Sequence, residues 1–272
     1  MNKGESMFQL LRRAVLSLKN RGVWPTLARV FRYPFANYLK RKQHQTVFSH
    51  QGTEDRFTSI YKTNYWGNEE SVSGSGSTLG NTENLRRELP KLLGDWRIHT
   101  VFDAPCGDFN WMQHVLKAHP ITYVGGDIVR PLVESLNRRY RNDATSFIHV
   151  DLIQDNFPKA DLMICRDCLF HLSYRDTLAV LENFVRSSIP YLLTTTHTNY
   201  ENEKKFVNRD VVTGEFRLMD LFASPYHFPN DVAARISDWQ PPNPEREMCL
   251  WSHDQVEAAV VRLKRELDAH HI

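Results

Sequence analysis

The sequence predicts an α/β fold: a doubly wound, Rossmann-like sheet with a terminal antiparallel hairpin and an N-terminal helical extension. Three observations predict it. From about residue 83, short apolar segments alternate with segments of helical periodicity, which is typical of a parallel sheet with right-handed crossovers. Most of the apolar segments end at an aspartate. The N-terminal part of the chain instead carries apolar residues at helical spacing, with basic residues off the apolar face.

The alternating region runs from about residue 83 to residue 197. Each strand is assigned to a short apolar, β-branched run, and each helix to a longer segment with one apolar face. The predicted elements are, in order, helix Asn84–Leu93, strand Ile98–Phe102, helix Phe109–Lys117, strand Ile121–Gly125, helix Pro131–Tyr140, strand Ser146–Val150, strand Asp161–Cys165, helix Tyr174–Arg186 and strand Tyr191–Thr195.

After Thr198 the alternation stops, and the chain becomes rich in proline and aromatic residues. Phe216–Leu221 and Glu247–Trp251 are expected to pair as the terminal antiparallel hairpin. The insertion at about 199–247 is expected to shape a substrate pocket. Ser252 and Gln255 have the spacing of a capping box, which predicts a final helix over His253–Leu267.

The charge of the chain is unevenly distributed. Residues 1–45 carry ten Lys and Arg and one acid, a net charge of +9, whereas the remainder carries −7. Residues 6–19 and 25–42 have amphipathic periodicity, so residues 1–50 are expected to form a basic helical extension. Two interpretations stay open with equal weight: these helices lie on an anionic membrane surface, or they pack on the body. Nucleic-acid binding is a weaker third.

Residues 43–82 are predicted to be rich in loops. The sequence Tyr65-Trp66-Gly67 precedes a Ser/Gly stretch at 70–78, and such stretches are usually flexible linkers. The aromatic residues just before it favour a lid that orders over a ligand. The chain is therefore divided into the extension 1–50, a lid or linker at 51–82 and a main domain at 83–272.

Composition excludes several classes of protein. Hydrophobic residues make up 41% of the chain, enough for a core, and no run approaches the ~18 apolar residues of a membrane-spanning helix. Arg12 and Arg13 interrupt any secretory signal. Four cysteines suit a reducing cytosol, so a cytoplasmic protein is expected, with a membrane-peripheral location as the alternative. Cys165 and Cys168 lack the further ligands that zinc needs, and no metal site is predicted.

Carboxylates recur at the predicted strand ends: Asp103, Asp127, Asp151 and Asp167. In open α/β sheets ligands bind beyond this edge. The first turn has only Gly107 of a dinucleotide glycine motif, and Asp103 and Asp108 flank it and would repel phosphate. The pattern indicates a cationic ligand without phosphates, such as a sulfonium with an amino-acid tail. Asp127 is placed to accept from ribose hydroxyls, and Asp151 from an adenine amino group.

Residues ~60–251 resemble the class I S-adenosyl-L-methionine-dependent methyltransferases, and more closely a bacterial group with long shared motifs. Pro105 stands where the wider family commonly has a glycine. The strings that carry the resemblance are YKTNYWG at 61–67, ESVSGSGS at 70–77, DAPCGDFNWM at 103–112, CRDCLFHL at 165–172 and NRDVVTG at 208–214.

The resemblance implies a methyltransferase whose cofactor is S-adenosyl-L-methionine. It implies a methionine and ribose end formed by the first turn, an adenine end at the second and third strands, a wall at the fourth strand, and an N-terminal lid. The implied cofactor-binding residues are Asp103, Ala104, Pro105, Cys106, Gly107, Asp127, Ile128, Asp151, Leu152, Arg166, Trp66 and Ser73. For each of them a purely structural role is the alternative.

A hydroxyl acceptor must lose a proton, so a general base is expected near the fourth and fifth strand ends. His171 is the first candidate, since related methyltransferases place a histidine beside the transferred methyl. Asp167 and His197 are further candidates. Together with the aromatic residues of the insertion, Asn208, Arg209, Asp210 and Arg217 suit a sugar-like acceptor.

The sequence therefore predicts O-methylation of a glycan or a small polyhydroxylated metabolite. One form of this prediction places the acceptor on a membrane-linked precursor, which the protein reaches through its basic N-terminal helices. Two alternatives stay open: an RNA methyltransferase tethered by the basic arm, and a non-catalytic binding protein on the same fold.

Overall fold

The structure, a computed structural model, describes residues 38–198 and 206–270. It divides after His50, with residues 38–50 in one unit and the chain from Gln51 in another. In the first unit, residues 38–49 form a helix, α1. The predicted helix over 6–19 and most of that over 25–42 lie outside the described residues. None of the helices that the structure describes is both long and apolar enough to cross a membrane.

The second unit contains a sheet of seven strands within the described residues. The strands stand in the order β3-β2-β1-β4-β5-β7-β6. The first five are parallel, and β7 runs antiparallel to both β5 and β6. The strands are β1 Thr100–Asp103, β2 Thr122–Asp127, β3 Thr145–His149, β4 Leu162–Cys165, β5 Tyr191–His197, β6 Ala234–Ser237 and β7 Arg246–Ser252.

Helices connect β1 to β2, β2 to β3 and β4 to β5, whereas β3 reaches β4 without a helix, and the predicted doubly wound fold is confirmed. Strand order reverses between β1 and β4, which is where such sheets open a crevice for ligands. The helices of the second unit are α2 Thr53–Lys62, α3 Glu83–Asp95, α4 Met112–Ala118, α5 Arg130–Tyr140, α6 Tyr174–Ser187 and α7 His253–His270, with short 3₁₀ turns at Ser75–Ser77 and Leu169–His171.

Alternate side chains of the central strands point to opposite faces of the sheet and belong to two hydrophobic clusters. Phe102 and Met163 belong to the cluster that includes residues of α6 and α7, whereas Val101 and Leu162 belong to the one with α3, α4 and α5. All four are at most 1% exposed. Full burial of such side chains stabilises the fold by about 1.5–3 kcal/mol each, so the sheet is a rigid platform for the loops at its edge.

The terminal antiparallel hairpin is confirmed, but the prediction of its first strand is wrong. Ala234–Ser237 pairs with β7, and Phe216–Leu221 is irregular. Backbone amides of the latter bond elsewhere: that of Arg217 donates to the Phe170 carbonyl and that of Leu221 to the Thr196 hydroxyl. The predicted capping box is present, because Gln255 Oε1 accepts from the Ser252 amide at 2.9 Å.

The loop-rich interpretation of residues 43–82 is wrong for its first half, since residues 43–49 and Thr53–Lys62 are helical. Phe57, Ile60 and Tyr61 stand three and four positions apart, the spacing of one helix face.

Helix α4 also starts later than predicted, at Met112. Phe109 has a φ of +61°, which no helix allows, and its ring packs on those of Tyr123 and Phe147.

Candidate functional site

A cleft opens beyond the carboxyl ends of β1, β2 and β4. Its volume is about 1080 Å³ with the open mouth included. Of the predicted catalytic and cofactor-binding residues, only Ala104 and His197 do not line it. Those that line it are Trp66, Ser73, Asp103, Pro105, Cys106, Gly107, Asp127, Ile128, Asp151, Leu152, Arg166, Asp167 and His171.

The turn after β1 needs glycine at position 107. Gly107 has a φ of +55°, and a Cβ there would lie 2.3 Å from Ser73 Oγ. The Gly107 amide donates to Asp127 Oδ2 at 3.1 Å, and the Asp108 amide donates to Ser73 Oγ at 2.9 Å. The turn is therefore held between the end of β2 and the segment that carries Ser73.

Asp108 has a different role from the one predicted. Its carboxylate accepts from Ser71 Oγ and from the Val72 amide, both at 3.0 Å. It is not among the residues that line the cleft. Instead of repelling an anion, Asp108 anchors the segment that contains Ser71 and Val72 to the first turn.

Asp127 and Asp103 are buried carboxylates in the cleft wall. Burial raises the pKa of Asp127 to about 6, although the Val129 and Gly107 amides that donate to it act in the opposite direction. Burial raises the pKa of Asp103 to about 7, against the Tyr123 hydroxyl that donates to it at 2.7 Å. Both groups thus change charge close to neutral pH.

We predict that Asp103→Asn stabilises the protein more at pH 8 than at pH 5. The folded pKa of Asp103 lies above its ordinary value of 3.8, so the folded state binds more protons between these values. The ionisation of Asp103 therefore lowers the stability of the wild-type protein by about 2 kcal/mol as pH rises from 5 to 8, and the neutral variant is spared this part of the loss. Urea unfolding at both pH values measures the difference. An equal stability change at pH 5 and pH 8 would contradict the assignment.

The far wall of the cleft follows β3. Leu152 and Ile128 present apolar side chains there, and Asp151 lies two residues beyond the strand end. The Asp151 carboxylate accepts from the Ile153 amide at 2.9 Å and from Gln154 Nε2 at 2.8 Å. An apolar slot with a carboxylate beside it suits a flat heterocycle that carries an amino group.

Helix α2 forms part of the cleft that the sequence interpretation missed. Its side chains Thr53, Phe57, Ile60 and Tyr61 line the cleft. The N-terminal half of the helix is tied to two other segments: Glu54 contacts His149 at 3.2 Å, and Arg56 donates to the Thr213 carbonyl. The spacing of its apolar residues was the available signal, but the polar residues around them suggested a loop.

Arg166 and Asp167 follow β4 and face the cleft, yet both side chains are already paired. Arg166 Nε donates to Asp238 Oδ2 at 2.9 Å, and its Nη2 donates to the Gly76 carbonyl at 2.8 Å. Asp167 Oδ2 lies 3.1 Å from Arg246 Nη2. Burial acts to raise the pKa of Asp167, but the Arg166 and Arg246 guanidiniums hold it below its ordinary range. Asp167 is thus a weak base.

His171 is oriented as a proton acceptor. Its Nδ1 lies 2.9 Å from the Glu215 carbonyl, which can only accept, so Nδ1 carries the proton and Nε2 has the free electron pair. Burial lowers the pKa of His171 below its ordinary value of 6.5, so the ring is neutral at neutral pH. The rings of Trp66 and Phe216 lie 5.5 Å and 6.0 Å from the imidazole.

His197 is placed differently. It is 1% exposed, and its Nδ1 accepts from the Met219 amide at 3.2 Å. Burial lowers its pKa to about 4. Since the side chain does not line the cleft, this position favours a packing role over the predicted role as a base.

The four cysteines form no disulfide with one another and are buried. Among the described residues, one group has the spacing to hold a metal ion: His253, Asp254 and Glu257. It lies at the start of α7, after the end of β7 that pairs with Tyr191, the first residue of β5. This is the sheet edge opposite the cleft.

Three of the four polar residues expected to meet a sugar, Asn208, Asp210 and Arg217, hold the insertion in place, and the fourth, Arg209, is exposed. Arg217 is fully buried and donates to the Tyr226 hydroxyl at 2.7 Å. Asn208 donates to the Asp220 and Ser224 carbonyls, and Asp210 accepts from the Tyr174 amide. These contacts fix the segment that supplies the Glu215 carbonyl to His171.

Comparison with known proteins gives the fold. No protein-family model and no curated protein matches the sequence. Among solved structures, PigF with SAH is similar with a TM-score of 0.53 and 14% identity, covering 85% of this chain and 73% of PigF. Magnesium protoporphyrin IX methyltransferase from Synechocystis PCC 6803, with bound SAH, is similar with a TM-score of 0.50 and 14% identity, covering 71% of this chain and 92% of that one. The chain has a methyltransferase fold.

Proposed function

We propose that the protein is an S-adenosyl-L-methionine-dependent methyltransferase that methylates a hydroxyl group. The observation that carries the proposal is the charge of the cleft. Four aspartates line it against one arginine, and Arg166 and Asp167 are paired with Asp238 and Arg246, which lie outside the cleft. This leaves three lining aspartates, Asp103, Asp127 and Asp151, outside these ion pairs. Such a cleft favours a cation. The two similar folds whose structures contain SAH support the same choice.

The residues present fit the cofactor in three places. Asp127 has carboxylate lone pairs beyond those used by its two amide donors and can accept from ribose hydroxyls. Ile128 and Leu152 form apolar walls for adenine, with Asp151 beside them. Asp103 and the Gly107 turn bound the end where the sulfonium and amino group would lie.

The bound cofactor would supply an electrophilic methyl group on a positive sulfur. The protein contributes alignment, exclusion of water and removal of the acceptor proton. His171 Nε2 is the atom for the last task, because its ring is neutral and its other nitrogen is held by Glu215. Trp66 and the half-exposed Phe216 flank the imidazole and would stack on the acceptor.

A glycan or a small polyhydroxylated metabolite is the acceptor class that we propose. Sugar rings present flat C–H faces to aromatic side chains, and they carry hydroxyl groups for the base. The RNA and membrane alternatives depend on residues 1–45, most of which lie outside the described chain. They stay predictions, as does a non-catalytic role.

We predict that affinity for S-adenosyl-L-methionine falls about tenfold between pH 8 and pH 5, because Asp127, with a pKa of about 6, becomes protonated. The ionised carboxylate is the form that attracts a cation and accepts from ribose, so affinity rises with pH. Calorimetric titration at four pH values measures this slope. Asp127→Asn should bind weakly with a flatter profile, and a wild-type profile flat from pH 5 to 8 would contradict the role.

Mass spectrometry of glycans and metabolites from cells with and without the gene tests the reaction. We expect a species that is lighter by one methylene, about 14 Da, when the gene is absent, and restored when it is returned. Glycan and metabolite profiles that do not change would overturn the acceptor class.

A further inference from the structure

Two arginines and two aspartates form a buried cluster at the edge of the cleft. Arg166 and Asp167 follow β4, whereas Asp238 and Arg246 belong to the β6–β7 hairpin. Arg166 donates to both oxygens of Asp238, at 2.9 Å and 3.1 Å, and Arg246 Nε lies 3.3 Å from the same carboxylate. The side chain of Asp238 is fully buried. A paired fork of this kind fixes the plane of the guanidinium.

The cluster is packed against the segment 71–77, which we call the lid segment. Arg166 Nη2 donates to the Gly76 carbonyl at 2.8 Å. A Cβ on Gly76 would lie 2.7 Å from Asp167 Oδ2 and 3.1 Å from Arg246 Nη2, so a larger residue there would displace the Asp167 carboxylate or the lid segment. The lid segment supplies Val72, Ser73 and Ser77 to the cleft.

The hairpin holds the neighbouring chain as well. Asn84 Nδ2 donates to the Ser237 carbonyl at 2.7 Å, and Asn243 Nδ2 donates to Asn81 Oδ1 at 3.0 Å. The antiparallel end of the sheet therefore contacts the chain just after the lid segment at two further points.

We propose that Asp238 and Arg246 are positioning residues for the cofactor cleft, an inference that rests on the proposed function. Asp238 fixes the orientation of Arg166, and Arg166 holds the lid segment at Gly76. The lid segment then places Ser73 Oγ at the Asp108 amide, next to Gly107. Neither Asp238 nor Arg246 lines the cleft. Asp238 acts through Arg166, and Arg246 acts through its contacts with Asp238 and Asp167.

Gly76→Ala tests this chain of contacts without removing a buried charge. We expect the added methyl to push the lid segment off the cluster, which speeds amide hydrogen exchange across 71–77 and weakens SAH binding about tenfold. Gly80→Ala is the matched control, because a Cβ there meets nothing within 4 Å. It should exchange and bind like the wild type.

Asp238→Asn is the second variant, with Glu247→Gln as its control, since Glu247 pairs with Arg235 on the same hairpin at the surface. Asp238→Asn should match Gly76→Ala in exchange and SAH affinity, measured on the folded fraction. If both variants exchange amide hydrogens across 71–77 at the wild-type rate, or exchange faster but bind SAH with unchanged affinity, the positioning role is wrong and the proposed function still stands. A wild-type protein that binds no SAH would overturn the proposed function and this inference with it.

Discussion

Replacing His171 by glutamine is expected to lower the rate of methyl transfer by about 10²–10⁴-fold, the usual contribution of a general base. Glutamine is similar in length to histidine but cannot take a proton. Affinity for SAH should stay within about twofold of the wild type, because the cofactor contacts are made by other residues. Transfer of labelled methyl from S-adenosyl-L-methionine to extracts of cells that lack the gene measures the rate.

His253→Gln is the control for this experiment. His253 is also partly buried, and its Nε2 bonds the Val185 carbonyl at 2.9 Å at the opposite sheet edge. It should transfer methyl at the wild-type rate.

In the wild type the rate of methyl transfer should fall only below pH 6.5, because burial lowers the pKa of His171. A His171→Gln enzyme with more than a tenth of the wild-type rate would show that the base lies elsewhere.

The second large effect is expected at Gly107. In Gly107→Ala the new Cβ would enter the space of Ser73 Oγ, 2.3 Å away, at a backbone φ of +55°. Relief of the overlap must move the lid segment away from the first turn. Overpacking of this kind costs about 1–3 kcal/mol, so we expect SAH affinity to fall roughly 10- to 100-fold. Calorimetric titration with SAH measures the loss.

Gly67→Ala is the control that separates backbone strain from the steric overlap of an added Cβ. Gly67 has a similar φ of +64°, but a Cβ there meets nothing within 4 Å. It carries the backbone penalty alone, about 1–2 kcal/mol of stability, and should bind SAH nearly as well as the wild type. If the two alanine variants lose affinity equally, the contact between Gly107 and Ser73 does not shape the site.

The sequence predicted the part of the site that repeats with the fold. Asp103 and Asp127 end apolar runs, and parallel strands bring such ends to one edge, so periodicity alone predicted that they meet. His171 could be predicted as a residue of the site for the same reason, since it follows the fourth strand by a short turn. Its tautomer was not, because it depends on the Glu215 carbonyl, 44 residues away.

Contacts that join distant segments could not be predicted. Asp238 meets Arg166 across 72 residues, and no local pattern marks either as a partner of the other. The expected strand at Phe216–Leu221 failed for a similar reason: its amides bond the turn after β4 and the end of β5. Propensity describes a residue and its neighbours, whereas these positions are decided by tertiary packing.

Calorimetric titration of the full chain with SAH, repeated with Asp127→Asn, tests whether the cleft binds the cofactor. We expect saturable binding of one SAH per chain by the wild type and a loss of affinity of about tenfold or more in the variant, because a charged hydrogen-bond acceptor is removed. The absence of measurable binding by the folded wild-type protein, or equal binding by both, would contradict this expectation.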